Sequence, residues 1–316
     1  MKYAKITNTI HYELMYNLWN QEYGYIYPIS KELFERNLSN IYQNASFIAY
    51  DDEQVVGFII SKIWNDAFDI PTYSESGWIS LFFVKKEYRG KGIGSTLLEY
   101  SENELRKIGK KILYLGKDYL NFFPGLPVDL KSSEEWFKKK DFERPYDTFD
   151  LIKNLKFCSE EKLPLKNKNI IFRIADISDK EQLLAFIKKN WPGRWLKETI
   201  DYFDNGGTGR EYAIGLDNNQ ICAFAKICYP KTKMELISYS LTWRNRFTAL
   251  GGIGPLGVDS SYRHRNLGYD IVAFSNNVLI DNDASDIIID WTGLLDFYRH
   301  MKFEVFKSYY YLNKKL

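Results

Sequence analysis

Trp78 to Leu98, WISLFFVKKEYRGKGIGSTLL, passes from an apolar, strand-like segment through a charged turn into Arg89-Gly90-Lys91-Gly92-Ile93-Gly94 and then a helix. The glycines lack a Cβ, so the backbone can turn tightly and come close to a ligand. The helix that follows offers amide N–H groups without intrahelical acceptors, and anions are stabilised at such a terminus. Arg89 can add a charge-assisted hydrogen bond and Lys91 a further positive charge. The stretch reads as a pyrophosphate cradle, with a glycine-rich turn beside a basic surface as the plainer alternative. Spacing excludes two other phosphate loops. A P-loop needs Gly-x-x-x-x-Gly-Lys-Ser/Thr, and no lysine stands between Ser95 or Thr96 and a correctly spaced glycine pair. A dinucleotide fingerprint would need its third glycine where Ser95 or Leu97 stands.

The pattern recurs near the C-terminus. Gly254 to Val272 reads GPLGVDSSYRHRNLGYDIV, in which Tyr262, Arg263 and Gly268 match Tyr88, Arg89 and Gly94. Asn266 stands where Gly92 stands; Asn tolerates positive φ better than most residues, but its side chain takes up space that phosphates would need. The endings match too, with WFKKKDF (Trp136 to Phe142) lying over FYRHMKF (Phe297 to Phe303). Two coincidences in the same order indicate an internal repeat. Thirteen extra residues in the first copy fall around NFFPGLPVD, Asn121 to Asp129.

A chain of 316 residues exceeds the usual single-domain size, and an apolar fraction of 45% supplies core for two compact units. The formal net charge of +2 gives no broad footprint for nucleic acid or an anionic membrane. Cys158, Cys222 and Cys228 are odd in number and lack metal-type spacing, as do His11, His264 and His300, so no metal site is expected. The N-terminal MKYAKITNTI shows neither a signal-peptide core nor a transit-peptide bias, and no apolar run is long enough to cross a bilayer. A cytoplasmic protein is expected.

Period and capping predict a strand at Tyr3–Ile6, helices at His11–Glu22 and Ser30–Asn40, and a hairpin of Ser46–Tyr50 with Val55–Trp64. Strand Trp78–Val84 and helix Ile93–Ile108 flank the cradle, followed by strand Lys111–Leu115, a helix at Ser132–Lys140 and strand Asp147–Ile152. The charged segment from Lys153 to Asn169, containing Pro164, reads as a linker. After it come strand Ile171–Ala175, helices at Lys180–Asn190 and Trp195–Phe203, and strands Glu211–Leu216 and Gln220–Tyr229. The expected fold is α+β: two tandem domains, 1–156 and 170–316 with a 157–169 linker, each a mixed, mostly antiparallel sheet flanked by helices.

Arg-x-x-Gly-x-Gly after a strand ending LFFV resembles the coenzyme A loop of the GNAT superfamily of N-acetyltransferases. With the repeat, nearly the whole chain is similar to tandem GNAT proteins, including the mycothiol synthase-like arrangement. The resemblance implies an acetyl-CoA-dependent N-acetyltransferase that binds acetyl-CoA in a V-shaped gap between its fourth and fifth strands. The amine of a small-molecule acceptor would attack the thioester directly. Phe82, Phe83 and Val84 would supply the strand contacts, and Arg89, Gly90, Lys91, Gly92, Ile93, Gly94 and Ser95 the pyrophosphate site. It also implies a tyrosine that protonates the departing thiolate, shortly before a Gly-Phe or similar pair. Tyr298, five residues before Phe303, matches that position, whereas the first copy has Phe137. Periodicity alone makes Tyr298 a packed aromatic.

The first half thus keeps the intact loop and the second keeps the acid candidate. Catalysis is expected in the first, with another donor such as Tyr119; the alternatives are catalysis in the second half, or a coenzyme A sensor without turnover. Candidate bases are Asp118 and Glu75 in the first half, and Asp290, ending the apolar DIIIDW, in the second. Each has an ordinary structural reading as well. The aromatic stretches Trp19–Ile29 and Asn121–Pro127 would line an acceptor pocket or simply pack as core. No nucleic-acid or membrane partner is expected, and the protein is expected as a pseudo-dimeric monomer or a homodimer.

Overall fold

The computed structural model describes residues 1–7, 9–65, 70–155, 162–237 and 241–316. In chain order the elements are β1 (Lys2–Lys5), α1 (Thr9–Tyr23), α2 (Lys31–Leu38), β2 (Phe47–Asp51), β3 (Gln54–Ile63), α3 (Pro71–Ser74), β4 (Ser76–Val84), α4 (Ile93–Lys107), β5 (Ile112–Leu115), β6 (Leu126–Pro127), α5 (Lys131–Lys138) and β7 (Glu143–Asn154). There follow β8 (Ile171–Ile174), α6 (Lys180–Asn190), α7 (Arg194–Asp204), β9 (Tyr212–Asp217), β10 (Gln220–Cys228), β11 (Leu250–Val258), α8 (Leu267–Ile280), β12 (Asp286–Thr292), α9 (Leu295–Arg299) and β13 (Glu304–Lys315). Local chemistry sets several boundaries. The Ser30 side chain accepts from Leu33 N and caps α2, and α4 places Ile93, Leu97, Leu98 and Leu105 on one buried face at helical spacing.

The chain forms two compact units, and neither is one run of sequence. One comprises Met1–Thr148, Ser240–Arg246 and Lys307–Leu316; the other comprises Phe149–Tyr239 and Phe247–Phe306. In the first unit, β1, β2, β3, β4 and β5 lie in that order, antiparallel except for parallel β4 and β5. The C-terminal part of β13 closes its edge, pairing Asn313, Lys314 and Lys315 with Tyr114, Leu113 and Ile112. In the second unit, β8 to β12 repeat the order, with β11 and β12 parallel. There the closing strand is the end of β7, with Asn154 opposite Asp286 and Ile152 opposite Ile288. Helix α4 covers one face of the first sheet over Val56, Ile59, Ile79, Leu113 and Leu115. Helix α8 covers the second over Ala223, Ala225, Ile253, Ile287 and Ile289.

A single cut at 157–169 would leave Phe149–Ile152 with the first half and Lys307–Leu316 with the second, whereas the compact units take these strands the other way. The physical reason is edge cover. Strands β5 and β12 would each present unpaired backbone groups, and each receives a strand distant in sequence. Of the linker segment, residues 156–161, Cys158 among them, lie outside the described residues. The part that follows is held along α8: Leu163 N donates to Asn277 Oδ1 at 2.8 Å, and buried Asp270 accepts from Lys166 N at 2.7 Å and Asn167 N at 3.0 Å.

Truncation after Phe306 strips β5 of its partner and removes the buried Tyr309, Tyr311 and Leu312, along with the 2.8 Å Lys314–Glu102 ion pair. Each buried side chain contributes about 1.5–3 kcal/mol. The truncated chain is expected to lose several kcal/mol, read as a much earlier unfolding transition in calorimetry; an unchanged transition would show that β13 is dispensable.

Candidate functional site

Strands β4 and β5 pair from Ser76/Ile112 to Ile79/Leu115 and then part. Gly116 N still reaches Ile79 O at 2.8 Å, but Ser80 to Val84 continue without a strand partner on that side among the described residues. A pocket of about 540 Å³ opens along the parted strand. Its walls are Phe82, Phe83 and Val84 of β4, Trp19 and Tyr23 of α1, Phe123, and Ser132, Ser133, Trp136 and Phe137 at α5. Its mouth is the loop Arg89, Gly90, Gly92, Ile93, Gly94 and Ser95. The aromatic stretches are thus both core and wall: Tyr27 and Phe122 are buried, while Trp19 and Phe123 border the pocket.

Gly90 and Gly92 have φ of 76° and 85°, the left-handed region, and a Cβ on either would meet nothing within 4 Å. The space in front of the loop is open because the glycines leave it so. Among the described residues no backbone acceptor receives the amides of Gly90 to Ser95; the first intrahelical bond is Thr96 N to Gly92 O at 3.0 Å. Such a row of free donors at a helix start is an anion site.

The two basic side chains of the loop have protein partners of their own. Arg89 Nε donates to Val84 O at 2.9 Å, and its guanidinium donates to the Tyr23 hydroxyl at 2.8 Å and pairs with Glu22. It braces the loop against α1. The other Glu22 oxygen accepts from Lys86 N at 3.2 Å. Lys91 is not a pocket wall; its ammonium lies over the Tyr88 ring, 4.8 Å from the centroid. Burial raises the Tyr23 phenol above its ordinary value, with the Arg89 charge opposing.

The second copy repeats this backbone closely. His264 and Asn266 take φ of 62°, as Gly90 and Gly92 take left-handed values, and Trp291 (48°) repeats Lys117 (65°) just past the parallel pairing. The Tyr262 hydroxyl donates to Asp217 at 2.7 Å as that of Tyr88 donates to Asp51 at 3.0 Å. The contents differ. Asp259 stands where the first loop has Lys85, and Trp191 lies over Gly257, where a Cβ would sit 2.2 Å from the indole. Asn167 Nδ2 donates to Arg265 O at 2.8 Å, so the linker reaches the second loop.

The three catalytic candidates are divided between the two units. Tyr298 and Asp290 belong to the second unit, where Tyr298 is buried against Phe297 and Phe303 and hydrogen-bonds Thr292. Burial, then the nearby Asp290 charge, pushes its phenol far above the ordinary value. Asp118 belongs to the first unit, just past β5, and is 1% exposed. Its Oδ2 takes the Ser80 hydroxyl at 2.8 Å and the Lys62 ammonium at 2.8 Å. Glu75 is a surface residue paired with Lys111, and the Tyr119 carbonyl accepts from Lys62 at 3.3 Å. Sequence reasoning missed Ser80 and Lys62. Their signals are a hydroxyl interrupting WISLFFV and one charge inside the apolar VVGFIISKIW.

Residues 12–123 match the model of the Acetyltransferase (GNAT) family, a segment running from α1 through the loop to Phe123. The match lies within the first unit and covers its pocket strand and glycine loop. The fold of the chain is that of tandem GNAT proteins. A fungal multi-domain GH3 β-N-acetylglucosaminidase contains a GCN5-related glucosamine N-acetyltransferase region that is 23% identical over 99% of this chain, with a TM-score of 0.86. This chain spans 38% of that protein's length. A GCN5-related N-acetyltransferase from Sphaerobacter thermophilus is 13% identical over 99% of this chain and 95% of its own, with a TM-score of 0.71. A tandem GNAT protein from the clavulanic acid biosynthesis pathway is 10% identical over 99% of this chain and 98% of its own, with a TM-score of 0.69. No curated protein sequence matches.

Because the Tyr298 hydroxyl is a buried hydrogen-bonding group, Tyr298→Phe is expected to cost about 1 kcal/mol of stability, a fall of a few degrees in melting temperature. Reduced acetyl transfer at an unchanged melting temperature would instead make it a catalytic acid.

Proposed function

We propose that the first unit binds acetyl-CoA in the 540 Å³ pocket and acetylates the primary amine of a small molecule by direct attack within a ternary complex. The observation that carries this reading is the meeting of two features in one cavity: a strand freed from its neighbour after Ile79 and a row of free amides from Gly90 to Ser95. The residues fit the group. The amides and open glycines would hold the pyrophosphate, and the backbone of Phe82, Phe83 and Val84 would hold the pantetheine amides. When bound, acetyl-CoA supplies an acyl group activated as a thioester. Trp19, Tyr23 and Phe123 exclude water along one wall, and the Ser132 and Ser133 hydroxyls stand at the other. Phe137 occupies the position that matches Tyr298 and has no proton to give, so protonation of the thiolate falls to a hydroxyl or water in the pocket.

The second unit is read as a partner that has kept the loop backbone and lost the site. The acidic Asp259, the indole of Trp191 and the attached linker all disfavour a bound pyrophosphate there. Glucosamine is the acceptor to test first, given the activity named for the fungal region.

Two measurements test this reading. Free thiol released from acetyl-CoA should depend on an added amine such as glucosamine; tight coenzyme A binding without turnover across a broad amine panel would favour a sensor. Calorimetry should show Gly92→Asn weakening acetyl-CoA binding at least tenfold, about 1.4 kcal/mol, with little change in melting temperature, since Asn266 already adopts this conformation. Arg263→Ala should bind normally. Loss of binding in Arg263→Ala with Gly92→Asn unaffected would move the site to the second unit.

A further inference from the structure

Among the described residues, one buried carboxylate, bonded to the pocket residue Ser80, is satisfied only on one side. Asp118 is 1% exposed, and its Oδ2 accepts from Ser80 Oγ and Lys62 Nζ, both at 2.8 Å, while its buried Oδ1 has no hydrogen-bond partner. Buried polar atoms are nearly always paired, and an orphan lone pair on a buried carboxylate costs stability. Lys62 has no donor to spare for that atom, because its ammonium also reaches Asn37 Oδ1 at 3.1 Å, Tyr119 O at 3.3 Å and Leu120 O at 2.9 Å. Burial lowers the pKa of Lys62 and the Asp118 charge raises it, so the pair is mutually dependent.

The position of Ser80 gives this arrangement a use. It borders the pocket, and it is the first residue of β4 beyond the last β4/β5 register pair. It is also the residue that the β3/β4 register skips between Ile79 and Leu81, a bulge that re-aims the strand. The second unit lacks the pair: Gly254 and Thr292 occupy the corresponding places on β11 and β12.

Building on acetyl transfer in the first unit, we propose that Ser80 and Asp118 form a proton relay that deprotonates the acceptor ammonium, with Lys62 as the residue that positions Asp118. Ser80 Oγ takes a proton from the ammonium as its own proton passes to the Asp118 carboxylate. The nitrogen lone pair so freed forms the C–N bond, the C–S bond breaks, and the departing sulfur keeps its electron pair and takes up a proton from a hydroxyl or water of the pocket, which is in turn replaced by the second amine proton. Asp118 then returns its proton to solvent through Ser80. Ser80 is the catalytic residue that touches the substrate, and Asp118 acts through it.

The test is Ser80→Ala, a small change that leaves the Lys62–Asp118 pair in place, assayed with glucosamine as the amine. Loss of a positioned proton acceptor costs about 10²-fold or more in kcat. The loss should be greatest below the pKa of the amine and should shrink above it, where the amine arrives already neutral. Coenzyme A affinity by calorimetry and the melting temperature should match wild type, and Ser80→Thr should restore part of the rate. A loss of the same size at every pH, or a weakened coenzyme A affinity, would overturn the relay and leave the acetyltransferase reading standing. Wild-type protein that binds coenzyme A and acetylates no amine would overturn both. Asp118→Asn serves as a second variant; if folded, it should reproduce the pH-dependent loss, and a wild-type profile would contradict the relay.

Discussion

The parting of β4 from β5 after Ile79 is the constraint on which the rest of the first unit depends. Parallel strands that stay paired have no free backbone groups between them, so no ligand could be bound along Ser80–Val84 without the separation. The parting is held open from both sides. Phe82 packs on Trp136 and Phe137 on one face, while Phe83 meets Trp19, Tyr23 and Phe58 on the other. The same alternation carries the chain into the glycine loop, so strand geometry and loop position are set together. Pairing with β4 on one side and β13 on the other holds the short β5 in the sheet, so the chain can leave β4 directly after Leu115 and open the pocket.

Comparison of the two loops separates what the backbone needs from what a ligand needs. His264 and Asn266 adopt the same left-handed conformations as Gly90 and Gly92, so glycine is not required for the turn itself. A non-glycine residue there accepts strain of about a kcal/mol, which the surrounding fold tolerates. What glycine alone provides is empty space in front of the amides. Duplication therefore preserved a scaffold, and the difference between the units lies in side chains: Trp191 over the second strand, Asp259 in place of Lys85, and Asn167 against the second loop.

Much of this was legible in the sequence because local signals set it. Period, caps and turn residues place β1 to β5, α1, α2 and α4 within a few residues, and the repeat YRGKGIG/YRHRNLG returns as a repeat of backbone angles. The parts that depend on distant partners were not legible. Nothing local says that Lys307–Leu316 joins the first unit, or that Leu126–Pro127 pairs with Tyr309 and Tyr310. The sequence places Arg89 beside the loop glycines, but not its contacts with Glu22, Tyr23 and the Val84 carbonyl, which are set by the packing of α1. Likewise Asp118 was named only for standing after a strand. Its pairing with Ser80 and Lys62 joins three segments that no spacing rule connects.

The most direct measurement of the central claim is hydrogen exchange of the full chain with and without coenzyme A. Amides without partners exchange fast, so those of Gly90 to Ser95, and those of Ser80 to Val84 that face the pocket rather than β3, should be unprotected alone and strongly protected by ligand. The account predicts protection there and none at Arg263–Gly268. Protection confined to Arg263–Gly268, with Gly90–Ser95 exchanging freely in the presence of saturating coenzyme A, would contradict it.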